Sequence, residues 1–213
     1  DRLYLGGRSM GNDTVANGAV GPGDVIINEV MWYGVHSEDD AGFDEFIELR
    51  NTTGADISLD MWQIAGVDDF VVGLPPGSTI PAYDTFLIVD HVLEPYEDGA
   101  PQDESSAYLS GDMVVNAFND NRQSRLYLKD GTMEIFLQDP DAAVVDSAGD
   151  GGPPFAGGPD GDVVRSMERR QEAGDGTTAA VWYSYTGSEG IGVVNPDYAA
   201  EILASPDERN SAE

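Results

Sequence analysis

Five carboxylates fall within eight residues of this chain, Glu38-Asp39-Asp40 and then Asp44-Glu45. Carboxylate oxygens are hard donors, and Ca²⁺ collects about six to eight of them, so this loop is the first candidate metal site. Asp139 with Asp141, and Asp150 with Asp160 and Asp162, are weaker versions of the same pattern. None has the EF-hand spacing with its mid-loop glycine and closing glutamate. A solvated acidic loop is the ordinary outcome in so acidic a chain, and Ca²⁺ is the one cofactor the sequence admits. Histidine chemistry has less support. His36 and His91 are the only histidines, and neither sits in a motif with a nucleophile and an orienting third group. Carboxylate pairs are too abundant to single out a glycosidase pair. The glycines between Gly149 and Gly161 lack the Lys-Ser/Thr of a phosphate loop. No catalytic residue and no enzyme are expected. For binding, the candidates are Trp32 and Tyr33, a pair of aromatics beside the acidic loop.

The elements that must carry these residues are clearest from Asp44 to Trp62. Phe46, Glu48 and Arg50 alternate with Ile47 and Leu49 at the period of about 2 that a pleated strand imposes. Asn51-Thr-Thr-Gly54 breaks the run, because Asn and Gly accept positive φ and reverse the chain. A second strand-like run follows and contains Trp62. Further strands are expected over Val25 to Trp32, Ile57 to Ala65, Thr85 to Val89, Arg125 to Lys129, Met133 to Leu137 and Ala142 to Asp146. Val163 to Met167 and Ala180 to Tyr185 add short edge strands, the latter with Tyr183 and Tyr185 on one face. Turn residues at this spacing predict an all-β sandwich, with Lys129-Asp-Gly-Thr132 as a type I′ hairpin. Its core is expected to hold Ile27, Ile47, Leu49, Trp62, Ile64, Leu87, Leu126, Leu128, Ile135, Leu137, Val145 and Trp182. Asn28, Glu29 and Glu48 stand on otherwise buried strands, where Asn28 and Glu48 should bond loop backbone or pair with Arg50 or Arg169.

The domain plan has three parts. Residues 1–23 read as a flexible Gly/Asn-rich extension, 24–198 as the sandwich with long acidic loops, and 199–213 as a polar tail preceded by modest helical character from Tyr198 to Ala204. Leu3-Tyr4-Leu5 in the extension reads first as part of a disordered or self-packed leader, and alternatively as a strand that adds to a neighbour's sheet edge and builds a homo-oligomer head to tail.

Charge excludes several partners. Forty Asp and Glu face ten Lys and Arg, Lys129 is the only lysine, and the formal net charge is −30. Such a surface repels nucleic acid and anionic lipid. There is no cysteine, so neither disulfides nor thiolate metal sites arise. No apolar run approaches the roughly 20 residues that span a bilayer, and no signal-peptide pattern is present. High-salt adaptation, divalent-cation binding and plain acidity all account for the charge; the first fits its even spread best. At 0.1 M salt the Debye length of about 10 Å leaves neighbouring carboxylates repelling one another. The melting temperature should therefore rise between low and molar salt, and a flat profile would refute salt adaptation.

Nine or so strings in order give the sequence a family likeness. Val25-Ile-Ile-Asn-Glu-Val30 with Met31-Trp32, Asp44-Glu-Phe-Ile-Glu-Leu-Arg-Asn51 and Leu59-Asp-Met-Trp62 come first. Gly77-Ser-Thr-Ile-Pro-Ala82, Leu126-Tyr-Leu128 with Asp130-Gly131, and Val144-Val145-Asp146 follow. Ser166-Met-Glu-Arg169, Trp182, and Gly192 with Asn195-Pro196 close the series. Together they resemble the lamin tail domain family, its bacterial and archaeal branch more than nuclear lamins. Met61 departs from the glycine usual before that Trp, and the Gly-Thr-Pro-Gly before the final Asn is eroded to Gly-Val-Val. The resemblance implies an immunoglobulin-like antiparallel β-sandwich, noncatalytic, carried as a module by secreted or cell-surface proteins. The implied role is adhesion or filament and surface assembly, with another protein, a second copy or a glycan as partner. Two alternatives remain: a Ca²⁺-dependent glycan- or protein-binding module, and the accessory domain of a secreted hydrolase or nuclease.

Overall fold

The computed structural model describes residues 20–33, 35–36, 42–43, 45–67, 70–91, 111–116, 126, 128–172, 174–187, 202–206 and 209–211. In chain order the strands begin with β1 (Val25–Met31), β2 (Val35–His36), β3 (Gly42–Phe43), β4 (Phe46–Asn51), β5 (Ile57–Ser58) and β6 (Gln63–Val67). They continue with β7 (Phe70–Gly73), β8 (Thr79–Ile80), β9 (Thr85–His91), β10 (Met113–Asn116), β11 (Ile135–Gln138) and β12 (Val144–Ala148). Last come β13 (Gly158–Asp160), β14 (Val163–Arg165), β15 (Met167–Arg169), β16 (Trp182–Ser184) and β17 (Ile202–Leu203). A six-stranded sheet, β10-β9-β4-β1-β15-β16, faces a four-stranded one, β12-β11-β6-β7. Their pairings are antiparallel except β10 on β9. This is the expected immunoglobulin-like sandwich.

The alternation read in β4 holds in three dimensions. Ile47 and Leu49 enter the core between the sheets, while Phe46 faces the opposite side with Met31, Leu87 and Val89. All twelve expected core residues are buried, and Leu87 belongs to that second cluster on the outer face of the large sheet. At roughly 1.5–3 kcal/mol for each large side chain removed from water, these positions account for the order of the frame. A register shift between Ile27 and Glu29 against β4 marks a bulge. It lets Ile27 and Val30 both join the inner core, leaving Asn28 and Glu29 for the outer face.

Three expectations give way. The run from Ile57 to Ala65 is not one strand: β5 ends at Ser58 and β6 starts at Gln63, with a turn closed by the Trp62 N–H on the Leu59 carbonyl at 3.1 Å. Met61 sits in that turn at φ 62° with its side chain 76% exposed. The left-handed region costs an L-residue about 1–2 kcal/mol, which is the physical reason for glycine before Trp. Met61→Gly should raise stability by roughly 0.5–1 kcal/mol, the strain relieved less the extra entropy of an unfolded glycine. Chemical denaturation reads this, and a destabilised variant would show that the turn carries no strain.

Second, Lys129-Asp-Gly-Thr132 is no type I′ hairpin. Neither Asp130 nor Gly131 has positive φ, and Leu126, Leu128 and Lys129 are not in a strand. The Leu128 N–H that a ladder would use donates instead to the Glu45 carboxylate at 2.8 Å. Third, where helical character was expected before a polar tail, Ile202–Leu203 is a strand parallel to β14. Ile202 and Ala204 lie on Met31, Phe46, Leu87 and Val89, covering the outer apolar cluster. Residues 1–19 of the extension lie outside the described residues.

Candidate functional site

Of the candidate metal ligands, Glu38, Asp39, Asp40 and Asp44 lie outside the described residues. Glu45 is described, and it is 1% exposed with its carboxylate on Leu128. The later acids do local work. Asp139 accepts the N–H groups of Asp141 and Ala143 at 2.9 Å, Asp150 that of Gly152 at 2.9 Å, and Asp160 pairs with Arg165 at 2.7 Å. Among the described residues no three His, Asp or Glu side chains converge as a metal would need. Trp32 packs inward: it is 7% exposed, and its indole N–H donates to the Ala156 carbonyl at 2.8 Å. A side chain at Gly158 would come within 2.5 Å of its ring. Tyr33 stands edge-on to it, half-buried, with ring centroids 5.6 Å apart. His36 ends β2 and His91 ends β9.

The outer face of the large sheet holds an arrangement that spacing alone did not reveal. Glu48, Glu29 and Glu168 stand at one level on β4, β1 and β15, and all three are fully buried. The chain's last described segment covers them. Ser205 donates its backbone N–H to Glu29 at 2.9 Å, and its hydroxyl lies between Glu29 and Glu168. Glu168 also accepts the Ser211 N–H at 2.8 Å and its hydroxyl at 2.5 Å. Burial, and then the charge of Glu168, push the Glu29 carboxyl up to about 8, so it is protonated at neutral pH. Asn28, expected on loop backbone or an arginine, donates instead to Glu48 at 2.6 Å and to Asn210 at 2.9 Å. Asn210 in turn donates to the Arg169 carbonyl at 2.6 Å. These groups tie the segments carrying Ser205, Asn210 and Ser211 to the sheet over the three buried carboxylates.

Beside Asn28 and Asn210 the surface opens into a cleft of about 520 Å³. The end of β4 supplies Arg50, Asn51 and Thr52, the start of β9 supplies Tyr83, Asp84 and Thr85, and Gln171 and Arg209 complete the wall. Asn51 shapes this end of the sandwich. Its amide reaches the carbonyls of Ala55 at 2.7 Å and Pro81 at 2.8 Å, and its Oδ1 accepts the Thr53 N–H at 2.9 Å. The reversal at Asn51–Gly54 is thus made by a side chain rather than by positive φ. Arg50 donates to the Gln171 carbonyl at 3.1 Å, and Asp84 accepts the Thr85 N–H at 3.0 Å.

Tyr83 is the unusual member. The Asp84 N–H closes a turn on the Pro81 carbonyl at 3.2 Å, placing Tyr83 third in that turn at φ 60°. Glycine or asparagine is the ordinary choice there. The tyrosine is 73% exposed, so its ring gains little from burial to offset the strain. Its hydroxyl lies 3.0 Å from where a Cβ on Gly54 would stand. Sequence reasoning passed over Tyr83, Arg50, Gln171 and Arg209 as site residues. The readable signal was a large aromatic in a Pro-Ala-Tyr-Asp turn; the convergence of Arg50 with Arg209 needs the fold.

An extended sheet with a buried polar layer and a polar cleft at one end defines an interaction module of the β-sandwich class. The sequence model of the lamin tail domain family matches residues 19–152, well over half of the chain, and the chain belongs to that family. The match ends before β15 and β16, which nevertheless complete the large sheet. A search of the curated proteins found no match.

Proposed function

We propose that this chain is a noncatalytic binding module of a secreted or cell-surface protein, engaging its partner at the Arg50–Tyr83–Arg209 cleft. The observation that carries the reading is Tyr83. An exposed aromatic held at positive φ on the wall that Arg50 and Arg209 also line costs stability and regains little of it through packing. Family membership supports an interaction role, because the lamin tail domain is a noncatalytic immunoglobulin-like fold. The acidic surface suits a salty exterior.

The test uses the chain immobilised over panels of glycans and of peptides. Ligands should bind reversibly and be recovered chemically intact. The Arg50→Ala/Arg209→Ala double variant, shown folded by an unchanged melting temperature, should bind at least about tenfold more weakly. Recovery of cleaved ligand, or a folded double variant that binds like the parent, overturns the proposal.

A further inference from the structure

We infer that β7 is a self-pairing edge, through which two copies of this chain join their four-stranded sheets antiparallel about a two-fold axis. β7 ends the small sheet β12-β11-β6-β7. Its pairing with β6 fixes which way its backbone groups point. The Leu74 N–H donates to the Trp62 carbonyl at 2.8 Å, and the register continues with Gln63 on Gly73, Ile64 on Val72 and Ala65 on Val71. Hydrogen-bonded and non-bonded pairs alternate along an antiparallel ladder. Val72 therefore bonds to β6, while the N–H and C=O groups of Val71 and Gly73 point away from the sheet. Among the described residues nothing bonds to them. Val71 is 49% exposed, and Gly73 is exposed as well. The opposite edge of this sheet is closed. On β12 the Ser147 carbonyl accepts from Arg169 at 3.3 Å, and just beyond it the Gly149 N–H donates to the Gly176 carbonyl at 3.1 Å.

This edge is complementary to itself. Setting Val72 against Val72 of the second copy puts Val71 opposite Gly73 at both ends of the joint. Both are then hydrogen-bonded pairs, in which each residue exchanges N–H and C=O with its opposite, so the outward groups are satisfied together. Opposed side chains share one face of the sheet, and a side chain at Gly73 would meet nothing within 4 Å. Val71 of one copy thus has open space beside Gly73 of the other, and its exposed side chain is covered there. Charge permits the same arrangement. Natural edges are blunted by charges, lysine above all, or by proline. Phe70-Val-Val-Gly73 carries neither, in a chain of forty acids. Asp68 and Asp69 precede the strand in sequence, so an antiparallel two-fold sends the acids of the two copies to opposite ends of the joint. An isologous contact of this kind closes as a dimer. One short strand covers less than the roughly 1,200–2,000 Å² of a lasting interface, so the dimer is weak. A net charge of −30 on each copy keeps the copies apart in dilute salt. At about 1 M salt the Debye length is only ~3 Å, and that repulsion is gone.

Sedimentation equilibrium of the full chain tests this. In roughly 1 M NaCl the mass should climb towards that of a dimer as concentration rises, and in dilute salt it should stay that of a monomer. Gly73→Pro removes an outward N–H but no bond of the β6–β7 ladder, and Val71→Lys places a charge on the edge. Both variants should stay monomeric in strong salt, with melting temperatures close to that of the dilute parent. The register has its own readout, because the chain contains no cysteine. An oxidised mixture of Val71→Cys with Gly73→Cys should give several times more disulfide-linked dimer than either variant alone, since the register sets Val71 against Gly73 and not against itself. A parent that stays monomeric at every concentration in strong salt overturns the inference. Dimers that both edge variants retain overturn it too, as do cross-links equal in the mixture and in the single variants.

Discussion

Arg169→Leu should destabilise the fold by about 3 kcal/mol or somewhat more, the cost of stranding a largely buried carboxylate. For a chain of this size that is a fall of roughly 6–20 °C in melting temperature. Arg169 is fully buried, and its guanidinium meets both oxygens of Asp146, at 3.2 and 3.3 Å. Asp146 also accepts the Ile27 N–H at 2.8 Å. Arg169 belongs to the six-stranded sheet and Asp146 to the four-stranded one, so the pair joins the two layers through the core. Trp182 lies beneath the guanidinium, 4.7 Å from ring centroid to carbon, and adds cation–π attraction. Burial already pushes the Asp146 carboxyl up, and the charge of Arg169 is the main force holding it down. Leucine leaves that largely buried carboxylate with only the backbone donors of Ile27 and Ser147. Arg169→Leu/Asp146→Val removes both charges and should recover part of the loss, since replacing a whole buried pair is often close to neutral. Recovery stays incomplete because the Ile27 N–H loses its acceptor. Urea denaturation of the two variants measures this. A single variant within about 1 kcal/mol of the parent would place the pair with exposed surface bridges instead.

This buried pair also shows where sequence reading reaches its limit. Arg169 stood in a recognised string, and Val145 beside Asp146 was a core candidate, yet nothing in one dimension joins residues 23 apart across two sheets. Alternation at a period of about 2 is local, so the inward faces of β1, β4, β6 and β11 were legible, down to Ile47 and Leu49 against Phe46. What depends on tertiary choice was not. β10 pairs in parallel with β9, and parallel partners leave no hairpin turn to read. Asp130-Gly131 carries a turn signal, but the Glu45 carboxylate claims the Leu128 N–H. Ile202–Leu203 is too short for periodicity to separate strand from helix. The cleft was the least legible part, because its arginines lie on β4 and on the chain's last described segment.

Glu29→Gln should stabilise the fold at pH 8–9 and leave it unchanged near pH 4. The sign follows from linkage. In the unfolded chain Glu29 titrates near its ordinary 4.5, and in the fold burial and the Glu168 charge hold it at about 8. The native state therefore binds the extra proton between these values, and each pH unit in that window costs the folded form about 1.4 kcal/mol. Stability tied to Glu29 is complete below pH 4.5, declines as pH rises, and is lost above about 8. Over that window the total comes to roughly a few kcal/mol, shared with Glu168. Glutamine keeps the shape of the protonated acid. Its Oε1 can accept the Ser205 N–H as Glu29 does at 2.9 Å, and its amide can donate where the carboxyl proton did. Glu48 and Glu168 flank the position on both sides of the sheet register, and among the described residues no basic side chain bonds to Glu29. An added negative charge at Glu29 thus has only serine groups, Ser166 and Ser205, to receive it, and ionisation should first loosen the segment carrying Ser205 and Ser211. Denaturation of parent and variant from pH 4 to 9 in molar salt, which screens the surface acids, isolates the term. Curves that diverge from about pH 5 and become parallel above about 8 fit the assignment, whereas curves parallel throughout would mean that Glu29 ionises in the fold as it does in the unfolded chain. Hydrogen exchange at Ser205 and Ser211 gives the local readout: protection should fall with rising pH in the parent and stay level in Glu29→Gln, because only the parent acquires a charge under that segment.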